Sequence, residues 1–145
     1  MQISNVLQRK AGGPAVATVP GGASIAEALV LLAEHRVGAL VVSADGVHVE
    51  GVFSERDVAR GLRERGAALL DDPVRSVMTA QVHTCTPDTR VLDLARLMTE
   101  HRVRHVPVVV GDELAGIVSI GDVVKARLDE LETEREQLVG YIQTV

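Results

Sequence analysis

Two rhythms of apolar and polar positions run along this chain, and each appears twice. Ile25, Ala28, Leu29, Leu32 and Ala33 recur at helical spacing, starting at Ser24-Ile25-Ala26-Glu27. A Ser followed by Glu three residues later is a capping box, so the pattern predicts a helix that begins there. It should end near Arg36, with His35 and Arg36 set against the negative end of its dipole. Residues 39–42 are a short apolar run, read as a buried strand. Asp45-Gly46 is a hairpin turn signal, and residues 47–53 are the expected return strand. Ser54 then caps a second helix, from Glu55 to about Arg65, closed by Gly66. Ahead of this unit, residues 3–7 suggest a lead-in helix, Gly12-Gly13-Pro14 a breaker, and residues 16–19 a short strand.

The same order follows in the second half. Val82-His83-Thr84 reads as a strand. Asp88 or Thr89 caps a helix carrying Val91, Leu92, Ala95, Leu97 and Met98. Residues 106–110 are a strand, Gly111-Asp112 a turn, and residues 114–118 the return strand. Ser119 caps a last helix, uninterrupted by Gly or Pro from 122 to 139. Its tail is highly charged, and Leu128, Leu131, Leu138 and Tyr141 could form a narrow seam against a partner or simply dot a solvated helix end.

These are copies of one unit. Glu34-His35-Arg36-Val37 recurs as Glu100-His101-Arg102-Val103, and Gly51-Val52-Phe53-Ser54-Glu55-Arg56-Asp57-Val58 recurs as Gly116-Ile117-Val118-Ser119-Ile120-Gly121-Asp122-Val123. The offset is 66 for the first block and 65 for the second, a slip that a loop absorbs. Each copy is β-α-β-β-α, which predicts an α/β architecture with helices covering a small sheet. Asp71-Asp72-Pro73 is the best boundary, giving halves 1–71 and 72–145, with residues 74–79 as a short connection. Neither half is large enough for a comfortable core of its own; two packed together are.

Composition narrows the function. Phe53 and Tyr141 are the only aromatics, so a flat ligand would be sandwiched by aliphatic side chains. The net charge of -5 argues against broad nucleic-acid binding, which runs on phosphate neutralisation by Lys and Arg. Cys85 is the single cysteine, and neither an apolar signal core nor a run of membrane-spanning length is present. A cytoplasmic, non-membrane protein is expected.

One constellation could carry chemistry. Ser54 and Asp57 sit at the N-cap and third position of a helix, and so do Ser119 and Asp122. Capping alone accounts for one such pair. Two pairs, each after a Gly-apolar-apolar strand, suggest a ligand cradle. Helix N–H groups and a Ser hydroxyl can hold phosphate, and the carboxylate can accept two hydrogen bonds from a ribose diol.

At these residues each half resembles a CBS domain, the regulatory repeat named after cystathionine β-synthase. The Gly-x-x-Ser-x-x-Asp signature, the strand after the first helix and the Val74-Arg75-Ser76-Val77-Met78-Thr79 linker all fit, over about residues 16–58 and 82–124. The whole resembles a stand-alone bacterial CBS pair, or Bateman module. The resemblance implies two repeats packed about a pseudo-twofold axis, with adenine nucleotides or other adenosyl ligands bound in two clefts. AMP, ADP, ATP and NAD are the expected regulatory ligands, and S-adenosylmethionine is an alternative. Carried over, cleft one joins Ser54, Arg56 and Asp57 to Thr84, Val103, Arg104, His105 and Pro107. Cleft two joins Ser119, Asp122 and Ile117 to Thr18, Val37, Gly38 and Ala39. The Asp would bind ribose and the apolar residues would flank adenine.

The two clefts are expected to differ. Arg104 and His105, with Arg56, give cleft one positive charge, whereas the matching Gly38 and Ala39 give cleft two none. Pro107 likewise has Val41 as its counterpart. Cleft one is therefore expected to bind the tighter. The resemblance also implies a homodimer formed through helical faces and an unknown regulated protein. No catalytic role is expected, since no Gly-rich phosphate loop, Ser-His-Asp order or catalytic carboxylate pair occurs. No metal is expected, because His83, Cys85, His101 and His105 have no recognised ligand spacing. A structural or interaction protein with vestigial clefts, a nucleotide hydrolase and a nucleic-acid-linked regulator are the competing classes.

Overall fold

The structure is a computed structural model that describes residues 1–10 and 16–144. The expected breaker at Gly12-Gly13-Pro14 lies outside the described residues. The elements run α1 (Ile3–Arg9), β1 (Thr18–Val19), α2 (Ile25–His35), β2 (Ala39–Val42), β3 (Gly51–Ser54), α3 (Glu55–Arg65), α4 (Val91–His101), β4 (His105–Val110), β5 (Glu113–Ser119) and α5 (Ile120–Thr144). Two short 3-10 turns, Gly66–Asp71 and Val74–Ser76, join the halves.

The capping box at Ser24 forms as the sequence predicts. Glu27 N–H donates to Ser24 Oγ at 3.1 Å, and Ser24 N–H donates back to Glu27 Oε2 at 3.3 Å. The hairpin departs from expectation. The return strand begins at Gly51, not at 47, because the Asp45 carboxylate accepts the N–H groups of Val47 and His48 at 2.8 Å each. A turn held by its own side chain withdraws those groups from the ladder. Residues 82–84 likewise form no strand; only Cys85 makes a parallel bridge, to Val108. The first half therefore has a three-stranded sheet, with β1 parallel to β2 and β2 antiparallel to β3. The second has a two-stranded antiparallel one, β4 with β5. Helix α4 starts one residue later than a Thr89 cap, or two later than an Asp88 cap, would place it, with Arg90 at its N-cap, while Thr89 Oγ accepts from Thr86 N–H.

Two cores form, one per half. Ile25, Leu32, Leu40, Phe53, Leu69 and Val74 centre the first. Val91, Leu94, Met98, Val106, Val118 and Val123 centre the second. Helix α1, although first in the chain, buries Ile3, Val6 and Leu7 in the second core. Residues 69–78 do the converse: they precede the second repeat yet pack on the first. The exchange is symmetric to the level of single bonds. Ile25 N–H donates to Asp72 carbonyl at 2.9 Å, and Val91 N–H donates to Met1 carbonyl at 3.1 Å. A Cβ on Gly51 would lie 2.7 Å from Met78 Sδ, and one on Gly116 would lie 2.7 Å from a Leu7 methyl. Each repeat thus keeps a glycine where the other repeat's lead-in presses on its sheet.

Candidate functional site

The signature pairs adopt one geometry. Ser54 N–H donates to Asp57 Oδ2 at 2.8 Å, with Ser54 Oγ 3.2 Å from the same oxygen. Ser119 N–H donates to Asp122 Oδ2 at 2.9 Å, and Asp122 N–H to Ser119 Oγ at 3.2 Å. Each helix start opens on a cleft whose opposite wall belongs to the other repeat.

Cleft one has a volume of about 540 Å³. It brings together Ser54, Arg56 and Asp57 from the first repeat with Val103, Arg104 and His105 from the second. Arg60, Thr79, Gln81, His83 and Arg102 also line it. Cleft two is about 720 Å³ and gathers Ile117, Ser119 and Asp122 with Val37, Gly38 and Ala39. Three expected residues are not among the lining residues of either cleft. Thr84 is exposed in a segment that forms no strand, Thr18 lies in β1, and Pro107 is buried in β4 opposite Ile117.

Gly38 and Ala39 bring cleft two no charge, but cations from other positions do. Arg9, Lys10, Arg36 and Lys125 all line it. Lys10 Nζ lies 3.0 Å from Asp122 Oδ2 and donates to the Ile117 carbonyl at 2.8 Å. The exchanged lead-ins explain this. Leu7 and Met78 are equivalent by their glycine contacts, an offset of 71 that puts Lys10 opposite Gln81 of cleft one. Repeat offsets of 65 and 66 cannot reveal that match.

The partners of the two carboxylates differ in exposure. Asp57 is 3% exposed, and its Oδ1 is taken by Arg60, whose side chain is 74% exposed. Asp122 is held by a Lys10 that is itself only 26% exposed. Burial alone would raise the Asp122 pKa, but the Ser119 N–H and Lys10 outweigh it and hold the carboxyl below its usual range. His105 is half-buried, borders both clefts, and would sit 3.5 Å from a Cβ on Gly38. Burial, then the charge of Lys10, push its pKa down, so it stands as a neutral imidazole between the clefts. The positive charge expected of His105 is therefore absent near neutral pH.

Besides Lys10 and the other unforeseen lining residues, two arginines at helix ends escaped the sequence reading as cleft residues. Arg36 and Arg102 end α2 and α4 in left-handed conformations, φ 54 and φ 53, and each lines one cleft. That conformation favours Gly, and an L-residue bears a penalty there. The signal is the repeated Glu-His-Arg-Val tetrapeptide, which sets an arginine at the same helix end in each half. His83 and His101 stack with ring centroids 4.1 Å apart at the edge of cleft one. Among the described residues no three His, Cys, Asp or Glu side chains converge on a metal-sized site. Cys85 is buried, which pushes its thiol pKa up to about 11 and leaves it a packing residue.

Comparison with known proteins places these features in context. The CBS domain family matches residues 13–64 and 74–129. The chain is 38% identical over 124 residues to the mitochondrial CBS domain-containing protein CBSX3 of Arabidopsis thaliana. That match covers 83% of this chain and 60% of the length of the plant protein. Among solved structures, the CBS-domain containing protein ATU1752 from Agrobacterium tumefaciens is 45% identical with a TM-score of 0.82. It covers 88% of this chain and 99% of the other. CBS domain protein PAE2072 from Pyrobaculum aerophilum, solved as a complex with AMP, is 33% identical with a TM-score of 0.77, over 92% and 99% of the two chains. No helix among the described residues is long and apolar enough to cross a membrane.

Proposed function

The chain belongs to the CBS-domain family, and from that premise we propose that it is a regulatory module that binds an adenine nucleotide between its repeats without turning it over. The observation that carries this reading is the pair of Ser-x-x-Asp helix starts, each facing a cleft walled by the other repeat. A ribose diol would exchange for the cation now on the aspartate, and phosphates would face the cleft arginines. The AMP complex of the Pyrobaculum relative supports the ligand class. AMP, ADP, ATP and NAD are the candidates.

Cleft one is the primary site in this reading. Its Asp57 is covered by the exposed, easily displaced Arg60, whereas Lys10 is clamped between Asp122 and a backbone carbonyl. Binding would draw the halves, residues 1–71 and 72–145, together and alter a surface seen by a regulated protein. Such coupling requires the ligand to bind one arrangement better than the other. Pairing of two copies and a cytoplasmic location belong to the same proposal.

Mass spectrometry of small molecules released from purified protein, followed by thermal shifts with AMP, ADP, ATP, NAD, NADH and S-adenosylmethionine, tests the reading. An adenine nucleotide should raise the melting temperature, and Asp57→Ala should reduce the rise. No shift with any of the six would sink it.

A further inference from the structure

We propose that the distal half of α5 forms a parallel, in-register coiled coil with the α5 of a second copy. This rests on the reading that two copies pair, not on the ligand reading. Every described residue from 131 to 144 is exposed, so about 21 Å of helix stands clear of the chain's own body. A four-turn helix without packing is marginal in water, and amphipathic burial is what ordinarily holds one.

The exposed apolar positions have a heptad spacing. Val124, Leu131 and Leu138 occupy one core position, and Leu128, Arg135 and Ile142 the other, in alternating steps of four and three. The five apolar members are 49% to 71% exposed. The face that meets the body carries Val123 and Ala126, both buried and about 100° and 160° around the helix from the seam. The seam therefore points away from the clefts.

Charge selects the occupant and its direction. In a parallel pair Arg127 meets Glu132 of the other copy, and Arg135 packs beside its Glu134; twofold symmetry repeats both contacts. Arg127 already holds Glu130 within its own helix, and its guanidinium has donors left. An antiparallel pair covering the full seam would set Glu132 against Glu132 and Glu134 against Glu134. Sliding it by one heptad removes that repulsion but strands Leu138 and Ile142 in water. Of these arrangements the parallel pair buries the whole seam with Arg127 matched to Glu132; it also sets Arg135 against Arg135 of the second copy, a repulsion that the neighbouring Glu134 offsets. Arg135, the one charged residue in the seam, limits the strength of the pair while Glu134 keeps its register.

Sedimentation equilibrium of the full chain, with crosslinking, tests this. The wild type should be a dimer. Leu131→Glu with Leu138→Glu should be a monomer at the same concentration, with the circular dichroism of the body retained. Arg135→Leu should tighten the dimer at least about tenfold, a gain that misfolding does not produce. Leu138→Cys should form a disulfide-linked dimer on mild oxidation, whereas the wild type, whose Cys85 is buried, should not. A monomeric wild type would overturn both this seam and the pairing reading. A dimer that survives the double substitution would overturn the seam alone. A dimer in which Leu138→Cys fails to crosslink would overturn the parallel direction.

Discussion

Lys10 Nζ and Asp122 Oδ2, 3.0 Å apart, tie the end of α1 to the start of α5 across the mouth of cleft two. The contact joins the first helix to the last and neutralises the carboxylate that a ribose would otherwise meet. Asp122 is held below its ordinary pKa, so its contribution to stability is present above the unfolded carboxylate range. It is lost as pH falls through the depressed folded value.

Replacing Lys10 by Gln copies cleft one's Gln81 into cleft two. An ion pair of this exposure contributes about 1 kcal/mol, so adenosine should bind cleft two roughly fivefold more tightly in Lys10→Gln. Calorimetry in an Asp57→Ala background isolates that cleft. Unchanged adenosine affinity would show that Lys10 does not compete for Asp122.

Asp57→Ala should cost about 1.5–3 kcal/mol of nucleotide binding, the range for hydrogen bonds to a charged group. Asp122→Ala should cost less, because its carboxylate is already committed to Lys10. Equal losses in titrations of the two folded variants would remove the asymmetry between the clefts.

Arg102→Gly should move stability and binding in opposite directions. Releasing the left-handed strain should raise stability by about 0.5–1 kcal/mol after the entropy cost of Gly, while AMP binds more weakly and adenosine does not. Arg36→Gly should do the same at cleft two. Denaturant melts and paired AMP and adenosine titrations read both effects. Equal weakening of AMP and adenosine would exclude a phosphate contact.

His105 should titrate below the ordinary histidine value. Burial and Lys10 disfavour its charged form, so the folded state binds fewer protons than the unfolded state just below pH 6.5. Its contribution is therefore a loss of stability as pH falls through that value. The ring Cε1 proton, followed by NMR, should report the low pKa, and Lys10→Gln should raise it. A ring that titrates at its usual pH would contradict the neutral imidazole between the clefts.

Much of the fold was legible because it rests on short-range physics. The capping boxes at Ser24, Ser54 and Ser119 lie within one helical turn, and the repeat announced the second half once the first was read. Errors fell where a side chain or a missing neighbour overrode local pattern. Asp45 captured the N–H groups that would have extended β3, and residues 82–84 found no ladder beyond Cys85. In the site, Ser54, Asp57, Ser119 and Asp122 were readable from spacing. Thr18, Thr84 and Pro107 were placed by resemblance and do not line either cleft.

By itself the sequence determined the duplicated β-α-β-β-α unit, the aliphatic cores and the two acid-bearing helix starts, since periodicity and capping act between near neighbours. The tertiary structure alone decided that each lead-in packs on the far repeat. That packing asks only for aliphatic bulk against a glycine. Leu7 on Gly116 and Met78 on Gly51 meet it equally well, and no repeat in the letters marks it. The identity of the cation on Asp122 followed from that crossing, and with it the difference between the two clefts.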